Sequence, residues 1–192
     1  MVAARSNLEN EVGSMADTDK GTRDFISRAE AVVLADSINA SFELRPRGWS
    51  SEIEHTAFQA SRHTRYEVMR SQRLLAYARC ACRWIFSNTS GRVLLCVTEH
   101  GIWEEHRPLE QAIRDRVPDS GTLEEKPGLV VGPMDLDFLI SYVFVGLSFG
   151  WGFVVLDSAE SRWFECNHDG KVWIGSDDEA DVEKAKEWLD WE

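Results

Sequence analysis

The stretch from Arg162 to Glu179 constrains the fold more than any other part of the chain. Trp163-Phe164-Glu165-Cys166 and Lys171-Val172-Trp173-Ile174 are short runs rich in aromatic and β-branched residues, and Asn167-His168-Asp169-Gly170 lies between them. Such runs around an Asp-Gly turn read as a β-hairpin. Ser176-Asp177-Asp178-Glu179 follows at once, with the S-x-x-E form of a capping box. Val182, Ala185 and Leu189 then share one helical face, which Trp188 widens. A C-terminal β-hairpin running into a helix is the prediction.

Upstream, Thr22 is a candidate cap for a helix that carries Ile26, Ala29 and Val33 at helical spacing and fades near Ala40. Phe42 to Trp49 contains Pro46 and Gly48 and reads as a loop or short edge strand. Ser51-Glu52-Ile53-Glu54 is another capping box. It predicts a long helical region reaching Phe86, with a break near Ser61 to Thr64 and with Leu74, Tyr77, Ala81 and Trp84 on its buried stripe. Val93-Leu94-Leu95-Cys96-Val97 is a continuous apolar run, suited to a strand buried on both faces. A short helix over Arg107 to Arg116 has Pro108 in its first turn, and Val117 to Lys126 is a polar loop. Leu129 to Val131 is a short strand. Asp135 is placed to cap an apolar helix through Leu147, which Phe149-Gly150-Trp151-Gly152 breaks before a strand over Phe153 to Leu156.

This order predicts an α+β fold: a mixed or antiparallel sheet of about four to five strands packed with helices. Residues 1–20 are polar and aperiodic, which predicts a disordered N-terminal arm, and 21–192 are expected to form a single α+β domain. The N-terminus lacks the apolar stretch of a signal peptide. The longest apolar run, Phe138 to Phe153, is interrupted by Ser141, Ser148 and three glycines, short of the roughly 18 to 20 residues that span a bilayer. Four cysteines, with Cys80-Ala81-Cys82 spaced unlike a zinc or redox pair, read as buried free thiols in a reducing compartment. A cytoplasmic location is the expectation.

Charge is uneven along the chain. The net charge is −12, which repels nucleic acid and anionic membranes and suits a partner with a basic patch. Residues 177–192 hold eight acids and two lysines, a net −6, half the total. Between Arg62 and Arg83 six arginines face one acid, Glu67. Eight tryptophans are many for this length, and tryptophan beside charge is a frequent interface anchor. The predicted partner-binding surface is therefore Trp188, Trp191, Asp177, Asp178, Glu179, Asp181 and Glu187, with Trp103. Its partner is expected to be a protein, with a basic toxin domain as the type. Neither nucleic acid nor a membrane is expected as a direct partner, and no cofactor is expected.

Chemistry has two candidate places. Asn167-His168-Asp169 puts a histidine beside a carboxylate, and Glu99-His100-Gly101-Ile102-Trp103-Glu104-Glu105-His106 adds two histidines and three acids. A metal-dependent hydrolase would draw on His100, His168 and Asp169 as ligands, with Glu99 beside them. Turn propensity alone also explains Asn167 to Gly170, and the histidine spacing at 100 and 106 is not that of H-E-x-x-H. Gly146-Leu147-Ser148-Phe149-Gly150 has the letters G-x-S-x-G. Ser148 ends a helix before a strand, the reverse of a nucleophile elbow. No Gly-rich phosphate loop follows any strand.

Ile102-Trp103 after a buried strand, Pro127-Gly128, Phe149-Gly150-Trp151 and Asn167-His168-Asp169 together resemble a group of uncharacterised bacterial proteins with Gly-Val-Trp, Pro-Gly-His, Phe-Gly-Trp and Ser-His-Asp phrases in the same order. The resemblance covers roughly residues 66 to 175. Leu129 stands where that group has histidine, and Asn167 where it has serine. In size and acidity the chain is also loosely similar to toxin-immunity proteins. The leading expectation is a non-catalytic acidic binding protein, an immunity-type inhibitor of a bacterial toxin. A regulatory or structural module of a phage or host-defence system, and the metal-dependent hydrolase, are the alternatives.

Overall fold

The structure, a computed structural model, describes residues 23–36, 62–67, 73–87, 91–99, 104–157, 162–176 and 178–189, with side chains 35, 36, 62–67, 104, 188 and 189 outside that description. The N-terminal arm, the Phe42 to Trp49 segment, the Ser51 capping box, His100, Trp103, Asp177 and Trp191 lie outside the described residues. The elements in chain order are β1 (Asp24–Ile26), α1 (Arg28–Asp36), β2 (Arg62–Glu67), α2 (Leu74–Phe86), β3 (Val93–Glu99), α3 (Arg107–Arg114), β4 (Gly128–Val131), α4 (Leu136–Phe149), β5 (Gly152–Asp157), β6 (Trp163–Cys166), β7 (Lys171–Ser176) and α5 (Glu179–Leu189).

The seven strands form one sheet in the order β1-β4-β3-β5-β6-β7-β2, and every pairing is antiparallel. The class is α+β, as predicted, with more strands than predicted. Strands alternate their side chains between two faces. Val93, Leu95 and Val97 of β3 join Phe153, Val155, Phe164, Val172 and Ile174 in a large core on one face, which also takes side chains of α2, α4 and α5. Leu94, Cys96, Val154, Leu156 and Trp163 point the other way, into a smaller cluster with Ala31 of α1. β3 is apolar from Val93 to Val97 because both of its faces are covered there.

Both unpredicted strands are sheet edges. β1 has three residues, where the cap at Thr22 and the spacing of Ile26, Ala29 and Val33 predict helix. The helix starts at Arg28 instead, and its cap is a box that sequence reading passed over: Ser27 Oγ accepts from Glu30 N–H, and Glu30 Oε2 accepts from Ser27 N–H at 2.8 Å. β2 falls inside the predicted long helical region, starting at the break expected near Ser61 to Thr64. It pairs with β7 from Arg62↔Ser176 to Glu67↔Lys171. The arginine run is therefore split between a strand and α2, and is no single basic element.

Two caps differ from expectation in chemistry. Asp135 precedes α4 but makes no capping hydrogen bond. It lies 3.3 Å from the guanidinium of Arg23. At α5 the capping acceptor is Asp178, whose Oδ1 takes the Ala180 N–H at 2.9 Å, while Ser176 closes β7 and its Oγ accepts from Asp178 N–H. The end of α4 is as predicted: Gly150, at φ 64°, takes the left-handed conformation that a β-carbon disfavours.

The polar loop after α3 is organised from inside. Arg114 is fully buried, and its guanidinium donates to the carbonyls of Ser120, Gly121, Thr122 and Lys126 and to the Tyr142 hydroxyl. Glu110 balances its charge at 3.2 Å, and Phe25 lies 3.9 Å beneath it. No helix among the described residues is long and apolar enough to cross a membrane.

Candidate functional site

α5 is set by the hairpin that precedes it. Arg162, at the base of that hairpin, is 1% exposed. It grips Asp181 with two hydrogen bonds, Nε to Oδ2 at 2.8 Å and Nη2 to Oδ1 at 2.7 Å. Its third nitrogen, Nη1, reaches the Trp84 carbonyl and the Ser87 hydroxyl. Trp84 Nε1–H in turn donates to the Asp181 carbonyl at 3.2 Å. Val182 and Ala185 are buried beside this clasp. The first turn of α5 is thus tied to β6, to α2 and to the core.

This arrangement sorts the predicted partner-binding residues. Glu179 and Glu187 are exposed, as a docking surface requires. Asp178 is exposed and also caps its own helix. Asp181 differs from these acids: both of its carboxylate oxygens bond buried Arg162, and its side chain is 17% exposed. Glu183 is exposed as well and was not singled out from sequence. Glu179, Glu183 and Glu187 stand at i, i+4 and i+8, one stripe of one helix. That spacing was readable beforehand. For Trp188 only the backbone is described, and Asp177, Trp191 and Trp103 lie outside the described residues. The tryptophans whose side chains are described pack inward: Trp84, Trp151 and Trp163 are buried and Trp173 is half-buried.

The second candidate lies at the hairpin tip. Gly170 N–H donates to the Asn167 carbonyl, Asn167 Oδ1 accepts from Lys171 N–H, and Gly170 takes φ 70°. Asn167 and Gly170 therefore hold the turn, and position 168 is left for another use. His168 Nδ1 lies 2.8 Å from Glu99 Oε2, at the end of β3. The other nitrogen, Nε2, is 3.4 Å from Asp169 Oδ1. His168 and Glu99 are 20% and 18% exposed. Two candidates separated by 69 positions thus meet, across β5. A shift in the β3–β5 register between Val97 and Glu99 re-aims the end of β3. Gly152 supplies the room, because a β-carbon there would come within 2.7 Å of Glu99 Cβ.

The tip offers the hydrolase reading a histidine and two acids. Both ring nitrogens face carboxylates, and among the described residues no three His, Cys, Asp or Glu side chains are arranged so as to hold a metal ion. His106 does not join them. It stacks on Phe149 with centroids 3.8 Å apart. Ser148 lies within α4, exposed, with its hydroxyl donating to the Phe144 carbonyl at 2.7 Å. The cysteines are free thiols, three of them buried. Burial pushes the Cys96 thiol up to about 12 and raises Cys82 and Cys166 as well, which keeps them protonated and poor nucleophiles.

No protein family, no curated protein and no solved structure matches the chain.

Proposed function

We propose that the protein is a non-catalytic acidic binding protein, an immunity-type inhibitor that neutralises a toxin by taking a basic protein domain on the outer face of α5. The observation that carries this reading is the exposed stripe Glu179, Glu183 and Glu187 on a helix whose first turn is anchored by Arg162 and Asp181. Like charges four residues apart weaken a helix slightly. Lys186 offsets one of them through Glu183. A stripe of one sign on an anchored helix suits electrostatic steering of a basic partner and loses little order on docking.

The test mixes the purified protein with the product of the neighbouring toxin gene and follows association kinetics against ionic strength. The on-rate is expected to fall steeply with salt. Reversing Glu179, Glu183 and Glu187 to lysine is expected to slow association by tenfold or more, with unfolding unchanged. The reading is abandoned if the neighbouring product does not bind, or binds the reversed variant equally fast.

A further inference from the structure

The solvent faces of α2 and α5 carry charge of opposite sign at the same spacing. On α2, Leu75, Arg79 and Arg83 are exposed and stand at i, i+4 and i+8. α2 contains no acid, and Arg79 and Arg83 have neither an ion pair nor a side-chain hydrogen bond among the described residues. On α5, Glu179, Glu183 and Glu187 are exposed at i, i+4 and i+8, and Lys186 pairs with Glu183. The two helices are neighbours, and the end of α2 meets the start of α5 where Trp84 Nε1–H donates to the Asp181 carbonyl. Ala78, Ala81, Cys82 and Ile85 turn inward on α2, as do Val182 and Ala185 on α5, so both charged stripes lie on the outer side of the helix layer. We infer that this two-signed patch is the contact surface of a homodimer, in which α2 of each copy lies on α5 of the other across a two-fold axis.

A two-fold interface uses one patch twice, so the patch must be complementary to itself. One helical turn separates Arg79 from Arg83 and Glu183 from Glu187, about 6 Å along each axis at roughly 1.5 Å per residue. Two arginines of one copy thus match two glutamates of the other, and the axis repeats the match. Each helix also bears like charges one turn apart, an unfavourable pairing that a partner of opposite sign relieves. A basic protein answers only α5 and an acidic one only α2, whereas a second copy answers both. Leu75 continues the arginine stripe and, 42% exposed, supplies apolar contact. The net charge of −12 opposes association at long range. At physiological salt that repulsion is screened beyond about 8 Å, so the contacts across the patch decide. Single exposed ion pairs contribute little, and the dimer is accordingly a weak, exchanging one. The inference goes beyond the toxin reading, since it adds α2 as a surface and needs no toxin. Both use the α5 stripe, so self-association and toxin binding exclude each other.

The experiment is sedimentation velocity on the full chain at physiological salt, with protein from about 10 to 300 μM, a range that reads weak dissociation constants. Wild type is expected to pass from monomer to dimer across it. Arg79→Glu with Arg83→Glu makes both stripes negative, and Glu183→Arg with Glu187→Arg makes both positive. Each double variant alone is expected to stay monomeric, its dissociation constant raised about tenfold or more by like charges brought face to face. An equimolar mixture of the two is expected to dimerise again, because each stripe then meets its opposite. Wild type that stays monomeric to the top of the range overturns the inference, a result that depends on no variant folding. So does a dimer that persists in either double variant, or a pair of folded variants that stay monomeric when mixed. These measurements use this chain alone, so their failure leaves the toxin reading standing, and a toxin that fails to bind leaves the dimer standing.

Discussion

Arg162 and Asp181 form a two-bonded ion pair at the junction of hairpin and helix, with Nε–Oδ2 at 2.8 Å and Nη2–Oδ1 at 2.7 Å. Arg162 is buried, and Asp181 is 17% exposed on the side chain. The pair divides the charge of α5 into two kinds. Asp181 is spent inward as a fastening, and Glu179, Glu183 and Glu187 remain outward. A net −6, half of the chain's net charge, lies in residues 177–192, yet one of its best-placed acids serves the fold.

Asp181→Ala is predicted to be severely destabilising. It leaves Arg162 buried without its carboxylate, and breaking one side of a buried pair costs about 3 to 5 kcal/mol. Glu187→Gln, on the exposed stripe, is predicted to stay within about 0.5 kcal/mol of wild type. Guanidinium unfolding of the two variants separates the roles. Equal midpoints would mean that Asp181 is a surface acid after all.

Arg114→Met is predicted to release the loop of residues 118–126. Methionine fills similar volume but abandons the carbonyls of Ser120, Gly121, Thr122 and Lys126, and strands Glu110 as an unpaired buried acid. The expected loss is about 3 kcal/mol or more. Limited proteolysis is expected to cut within 118–126 first. Arg114→Lys is expected to rescue little, because a point charge cannot serve a fan of acceptors. Full recovery by lysine would show that charge alone organises the loop.

How much of this was legible in the sequence depends on burial. Val93 to Val97, Gly150 and the Asn167 to Gly170 turn announced themselves, since apolar runs, left-handed positions and Asp-Gly turns are local signals. β1 and β2 did not. Arg62-His63-Thr64-Arg65-Tyr66-Glu67 carries no apolar alternation, and charged edge strands are built that way because one side faces no neighbour strand. Ile26, Ala29 and Val33 mimicked a helical stripe that in fact crosses a strand–helix boundary, and the Ser27 to Glu30 box marked that boundary in plain view. The candidate site divided in the same way. Exposure of Glu179 and Glu187 follows from helical periodicity. The capture of Asp181 by Arg162, and of His168 by Glu99, depends on long-range pairing that no local pattern encodes.

Glu110 gives a pH dependence with a definite sign. Burial raises its carboxyl above the ordinary value, and Arg114 and the Tyr142 hydroxyl only partly oppose this. A raised folded value means that the folded state binds the proton more tightly than the unfolded chain. Its contribution is fully present below the unfolded carboxyl value and is lost as pH rises through the folded one. Wild type is therefore expected to lose stability relative to Glu110→Gln as pH rises from below the ordinary glutamate value towards neutrality. Chemical denaturation of both proteins at the two ends of that window reads the difference. A gap that is constant, or that moves in wild type's favour on raising the pH, contradicts the assignment.

Gly152→Ala tests how the Glu99–His168 pair is built. The new methyl would meet Glu99 Cβ at 2.7 Å, Thr98 Oγ1 at 3.1 Å and Glu99 Oε2 at 3.2 Å. The 2.7 Å contact is with a β-carbon, whose place the β3 backbone fixes, so the pairing of β3 and β5 at Glu99 and Gly152 must open locally. Overpacking of this kind costs about 1 to 3 kcal/mol. The predicted signature is local: the amides of Leu95 and Val155 remain protected and the His168 ring signals shift. Global unfolding would show only that the sheet depends on Gly152. An unchanged His168 signal in a folded variant would show that Glu99 holds its place without the space that Gly152 leaves.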